Sequence, residues 1–218
     1  MPVDFKLYLI TDRKQTKLPL PDAVRLALQG GARAIQLREK DLPVRELLSL
    51  AGEIRTITRE FGAKLFINDR IDVAVAVEAD GVHLRHESMP APAIRKVLGA
   101  KMLLGVSTHT LEEARAAEAM GADFVTFGPV YETPSKISFG APAGLEALRW
   151  AAKAVDIPVF ALGGIKSRNI GHVLWAGAYG VSMISTIFCA EDVQRAAKNI
   201  SELIQIVDRS ICVQCGRR

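Results

Sequence analysis

The stretch TLEEARAAEAMGADFVTF, residues 110–127, holds one complete unit of the fold. Thr110 can cap a helix through its side-chain oxygen, and Glu113 follows three residues later, the spacing of a capping box. Leu111 to Met120 then reads as a helix. Gly121 can take the left-handed conformation that stops it. Phe124–Phe127 is a short, mostly apolar run, as expected of a strand buried on both faces. The same order recurs elsewhere, because Gly31-Ala32 and Gly177-Ala178 also close helical stretches just before apolar runs.

Working outward, seven more apolar runs read as strands: Leu7–Ile10, Ala34–Leu37, Lys64–Ile67, Gly81–His83, Leu103–Val106, Val159–Ala161 and Gly180–Met183. Amphipathic stretches separate them. The clearest begins near Pro43, with Val44, Leu47, Leu48, Ala51 and Ile54 on one face. Others cover Pro21–Gln29, Ile71–Val77, Pro90–Val97, Ala143–Ala154, Ser167–Trp175 and Asp192–Val207. Strands that alternate with helices imply parallel pairing and right-handed crossovers. Eight evenly spaced units favour a single (βα)8 TIM barrel over an open doubly wound sheet. One domain spans 1–218, with residues 208–218 expected as a frayed tail. Trp150 and Trp175 are expected to pack helices on the barrel.

Of the 218 residues, 49% are apolar and 24% charged, an ordinary globular balance. The formal net charge is only +4, with a pI near 9.0. No basic stripe interleaves with aromatics, so nucleic acid is not the expected partner; small anions are. No apolar run approaches the roughly 18 to 20 residues of a membrane span. The opening MPVDFKLYLITD has no secretory pattern, which leads us to expect a cytoplasmic protein without membrane contact. The three cysteines agree. Cys212 and Cys215 form one C-x-x-C, without the second ligand pair a structural zinc site wants. The sequence sets no oligomeric state.

Barrel enzymes keep their chemistry at the strand C-termini. There this chain places Thr11 and Asp12, the segment Gln36 to Lys40, Asn68-Asp69-Arg70, His83 to Ser88, Ser107 to His109, Gly163-Gly164 and Ser182 to Ser185. A long connection after the sixth strand, GPVYETPSKISFGAP, adds Thr133, Ser135 and Lys136, and a loop of that length is commonly functional. Gln36, Arg38 and Lys40 alternate and can point one way, a fork and a point charge suited to a diphosphate. Read on spacing alone, REKD is equally a solvated charge run. Gly163-Gly164 is either a tight turn or an anion approach. A short helix beginning near Ser185 would add its positive end. Asn68 and Asp69 could offer oxygens to Mg2+, or Asp69 could cap the next helix. His109 could move protons, or it could be a structural histidine.

The motifs QLREK, IND, DGVHL, GVSTHT, ADFVTFGPVYETPSK, ALGGI and GVSMIS, in that order, resemble the thiamine phosphate synthase family and its sister, the thiazole tautomerases. The resemblance runs from about Leu7 to Val207. It implies a transferase of thiamine biosynthesis that condenses hydroxymethylpyrimidine diphosphate with thiazole phosphate and releases pyrophosphate. It implies that Gln36, Arg38, Lys40 and Asn68 bind the diphosphate, that Asp69 binds Mg2+, and that Ser107 meets the pyrimidine. Thr133, Ser135 and Lys136 would contact phosphate groups from the loop. Gly164, Val181, Ile184 and Ser185 would cradle the thiazole phosphate. Lys136, Arg38, Ser107 and His109 would be the catalytic set.

One departure bears on the reaction. Where the synthase pattern brings a second Mg2+-binding aspartate, this chain reads Arg85-His86-Glu87-Ser88, so Ser88 stands in its place. That substitution keeps two alternatives open, a metal-independent tautomerase and a non-catalytic relative that binds thiamine phosphate.

Overall fold

A computed structural model describes residues 2–85, 88, 91–99, 101–133 and 141–214, with the backbone alone for 91 and 92. Eight strands, β1 Leu7–Ile10, β2 Ala34–Leu37, β3 Lys64–Asn68, β4 Gly81–Leu84, β5 Leu103–Thr108, β6 Phe124–Phe127, β7 Val159–Leu162 and β8 Gly180–Met183, close into one parallel barrel in chain order. The closing pair sets Tyr8 opposite Ser182. Around it run α1 Leu20–Gln29, α2 Val44–Glu60, α3 Ile71–Ala76, α4 Ala91–Leu98, α5 Leu111–Ala119, α6 Gly144–Ala154, α7 Ile170–Trp175, α8 Ser185–Phe188 and α9 Val193–Gln214. The expected TIM barrel is thus the observed fold. The Thr110 side chain caps α5 by accepting from the Glu113 N–H.

The barrel interior explains where the site lies. Alternate residues on each strand face inward. The lower level is aromatic: Phe5, Tyr8, Phe66, Phe124 and Phe160 cluster with Ala34 and Leu103. Tyr8 and Phe124 meet edge to face at 5.4 Å and 89°, a geometry that adds about 0.5–1.5 kcal/mol beyond burial. Glycines make room for these rings. A Cβ on Gly81 would lie 2.5 Å from the Phe66 ring, and one on Gly105 would lie 2.4 Å from the Phe124 ring. Two residues further along the same faces the interior turns polar, with Gln36, Asn68, His83, Ser107, Thr126 and Ser182. The aromatic plug is therefore a dry floor beneath a polar mouth.

Two expectations change at the periphery. Trp150 and Trp175 are 58% and 47% exposed, because they fall on the outward faces of α6 and α7; the barrel is covered instead by small and aliphatic residues such as Leu148, Ala151, Val173 and Leu174. The expected frayed tail is helical to Gln214, well beyond Val207. Asp208 pairs with Lys6 at 3.0 Å and Ile211 packs against the core, so the helix has anchors there. Cys212 is exposed on α9, while Cys215 lies outside the described residues. Among the described residues no helix is long and apolar enough to cross a membrane.

Candidate functional site

On one side of the mouth, β2 to β4 end around a cavity of about 340 Å³ lined by Glu39, Lys40, Asn68, Asp69, Arg70 and Arg85, among others. The run REKD follows β2, and its Glu39 is buried, so the run is not simply a solvated face. Glu39 accepts from the Thr11 hydroxyl at 2.6 Å and from Arg13 at 3.1 Å. Thr11 Oγ1 in turn accepts the Arg38 backbone N–H at 3.0 Å. This network fixes the strand end from which Arg38 projects. Burial pulls the Arg38 guanidinium below its ordinary pKa; Asp12, Glu39 and Asp69 oppose the shift and Arg85 adds to it. Gln36 donates to Asn68 Oδ1 at 3.0 Å, while its own Oε1 is buried without a hydrogen-bond partner among the described residues.

Asp69 takes neither role exactly as expected. The turn before α3 shows no side-chain cap, so Asp69 does not cap that helix. Instead it adopts φ 58° and its carboxylate reaches across to the β4 end. Oδ1 accepts from the Arg85 N–H at 3.1 Å and from the Ser88 hydroxyl. Oδ2 accepts from Arg85 Nε and from Asn68 at 3.0 Å. Burial pushes this carboxyl up, but the hydrogen bonds from Ser88 and Arg85 outweigh it and hold the pKa below the usual value. Four donors thus saturate the one carboxylate. Among the described residues no three His, Cys, Asp or Glu side chains gather to hold an ion. With Asp69 held by Arg85 and Ser88, and Ser88 standing where the second acid is expected, the described residues do not fit the expected two-carboxylate Mg2+ site. Glu87 lies outside the described residues.

At the centre, His83 is buried on β4. Its Nε2 lies 3.0 Å from Ser107 Oγ and its Nδ1 lies 3.3 Å from the Tyr8 hydroxyl. Burial pushes its pKa down to about 3, with Asp69 opposing and Arg38 adding to the shift. The ring is therefore neutral at physiological pH, with one nitrogen donating and the other accepting. It orients the Ser107 hydroxyl. His109 is exposed after β5; its Nδ1 contacts the Gly128 carbonyl and its backbone N–H donates to Glu113 at 2.6 Å.

On the other side, β6 to β8 end around a cavity of about 270 Å³ whose lining includes Gln15, Thr133, Gly164, Ser182, Ile184 and Ser185. Gly163 and Gly164 take φ +93° and +66°. A Cβ on Gly164 would lie 2.7 Å from the Glu132 carbonyl, so the pair also seats the connection after β6. α8 begins at Ser185, as the sequence suggests, and its first residues line the cavity. Val181 is fully buried between barrel and helices. Its neighbour Ser182 is the residue in the cavity, and Ser182 Oγ is buried without a partner among the described residues. The alternation of GVSMI carries that signal. Ser135 and Lys136 lie outside the described residues. Arg85 and Gln15 are site residues to which sequence reasoning assigned no role.

Comparison with known proteins follows the same lines. The sequence pattern of the family described as thiamine monophosphate synthase matches residues 7–187. A thiamine-phosphate synthase of Moorella thermoacetica is 49% identical over 196 residues, covering 90% of this chain and 93% of that protein. One from Roseiflexus sp. is 42% identical, covering 91% and 84%. The solved structure of a thiamine phosphate pyrophosphorylase from Pyrococcus furiosus superposes with a TM-score of 0.86 at 41% identity, covering 93% and 96%. The match runs from β1 into α8 and takes in both cavities; this chain belongs to the thiamine monophosphate synthase family.

Proposed function

We propose that this chain joins hydroxymethylpyrimidine diphosphate to thiazole phosphate. The observation that carries the reading is the pair of cavities at one mouth, one rich in charged side chains and one centred on glycines and the start of α8, with Glu132 and Lys166 also in its lining. Two phosphorylated substrates need two such places, whereas a thiazole tautomerase needs one. In the reaction the bond from the pyrimidine methylene carbon to the diphosphate oxygen breaks, and its electron pair leaves with the diphosphate. The thiazole nitrogen then donates its lone pair to that carbon, giving thiamine phosphate and pyrophosphate.

Each half has a task. Arg38 and Lys40 neutralise charge that builds on the leaving group, where fixed cations act more strongly than in water. Gln36 and Asn68 hold the diphosphate. Ser107, oriented by His83, offers its hydroxyl to the pyrimidine. Gly164, Ile184 and Ser185 hold the thiazole phosphate through backbone N–H groups. Thr133, followed by Ser135 and Lys136, adds contacts from the connection after β6.

The test is pyrophosphate release. Release is expected only when both intact substrates are present. No release with both substrates at saturation sinks the reading, and proton exchange on thiazole phosphate alone would point to the tautomerase.

A further inference from the structure

The diphosphate half carries its own cation. We infer that the Arg85 guanidinium, clamped on Asp69 with Ser88, takes the place of a divalent metal ion, so that this chain grips a diphosphate without one. The inference rests on the proposed reading only in taking the ligand to be a diphosphate.

The geometry begins at Asp69. Its left-handed φ of 58° is uncommon for a residue with a side chain and costs about 1 kcal/mol or more, so the surrounding contacts must hold it. Its backbone N–H donates to the His83 carbonyl at 3.0 Å, which ties the end of β3 to β4. The carboxylate then faces Arg85 rather than α3. Arg85 meets it twice, through the backbone N–H and through Nε. Ser88 donates to the carboxylate and accepts the Arg85 N–H at 2.9 Å. The serine hydroxyl thus braces the residue that carries the charge.

The charges balance in a way that a metal would upset. One carboxylate and one guanidinium sum to zero, as two carboxylates and a divalent ion do. Replacing the second acid by Ser88 while placing Arg85 on the first keeps the same sum. A divalent ion entering here would have to displace Arg85 from Asp69 and then face its positive charge. The guanidinium also offers five N–H donors in a planar fork suited to phosphate oxygens, of which Nε–H is used by Asp69. Arg85 lines the same cavity as Lys40 and Asn68, and its charge is felt at Arg38. A diphosphate there would meet Lys40 and Arg85 together, with the Arg38 charge close enough to feel Arg85.

Calorimetric titration of the full chain with inorganic pyrophosphate, once in EDTA and once in excess Mg2+, tests this. The expected result is binding in EDTA with a Kd within threefold of that in Mg2+. Arg85→Gln is expected to raise the EDTA Kd at least tenfold with an unchanged melting temperature. The double variant Arg85→Gln with Ser88→Asp is expected to regain binding only in Mg2+. Wild-type binding that is tenfold tighter in Mg2+ than in EDTA overturns the inference, as does an Arg85→Gln variant that binds normally in EDTA. The two readings separate cleanly. Pyrophosphate release that vanishes in EDTA would leave the condensation standing and remove Arg85 from this role. Arg85-dependent binding without turnover would do the reverse.

Discussion

At the ends of β2 to β4 the mouth is built mainly from charged side chains, whereas at the ends of β6 to β8 it is built mainly from glycines and apolar residues around the start of α8, with Glu132 and Lys166 beside them. The first side gathers Lys40, Asp69 and Arg85 around one cavity, with Arg38 on the adjoining strand end; Thr11 and Glu39 brace Arg38, and Asn68 and Ser88 brace Asp69. The second offers glycines, a helix start and a single buried hydroxyl. The difference matches the two phosphorylated groups proposed to bind there. A leaving diphosphate gains charge as its bond breaks, so strong fixed cations are useful beside it. A phosphate that only anchors its substrate keeps its charge throughout, and N–H groups suffice. The comparison teaches that the reacting end of such a site is set by charge and the holding end by shape.

The largest effect should come from breaking the shape. Gly164→Ala forces a side chain into φ +66° and sets its Cβ 2.7 Å from both the Glu132 carbonyl and Tyr131 Cβ. The strain and the shift of the connection are expected to lower unfolding free energy by about 2 kcal/mol, measured in urea. A misplaced cradle is expected to cost roughly a hundredfold in kcat/KM for thiazole phosphate. Pyrophosphate affinity should stay within about twofold. A parallel fall in pyrophosphate affinity would show that the two sides are one unit.

Removing charge from the other side should cost slightly less. Arg38→Ala deletes a charge-assisted contact of about 1.5–3 kcal/mol, so pyrophosphate should bind roughly 10- to 100-fold more weakly. Thiazole phosphate binding measured alone should not change. If Arg38→Ala weakens both equally, the division of labour fails.

The fold was legible because its signals are local. Thr110 with Glu113, the stop at Gly121 and the apolar run at Phe124 each act within a few residues. The charged run after β2 was legible as a candidate for the same reason, since Gln36, Arg38 and Lys40 stand within five residues of one another. The pairing of Asp69 with Arg85 was not, because it depends on the register that sets Asn68 opposite His83. The environment of His83 was hidden likewise: its partners Tyr8, Ser107 and Thr126 come from three other strands. The outward turn of Trp150 and Trp175 depends on helix phase against a barrel already filled by smaller residues.

The link between the two sides titrates. His83 is buried neutral with a pKa of about 3 against an ordinary 6.5. Its contribution is therefore fully present above pH 6.5, and it is lost as pH falls, because the unfolded chain takes up a proton that the folded one refuses. At about 1.36 kcal/mol per pH unit, acidification from pH 6.5 to 5 should cost about 2 kcal/mol. His83→Gln should remove that part of the slope, read from urea unfolding at the two pH values. An unchanged slope would mean that His83 is protonated in the fold and that Ser107 is not oriented as described.

Ser182 provides the smallest effect and the sharpest sign. Its hydroxyl is buried in the second cavity with no partner among the described residues. A buried hydroxyl without a partner costs about 1–3 kcal/mol, so Ser182→Ala should stabilise the free protein by about 1 kcal/mol. If the hydroxyl waits for the thiazole substrate, the same change should raise KM for thiazole phosphate about fivefold, equivalent to about 1 kcal/mol. Stability and affinity would then move in opposite directions. If both stay constant, Ser182 is filler and the second side holds its ligand without that hydroxyl, by its backbone N–H groups and the other residues of its lining.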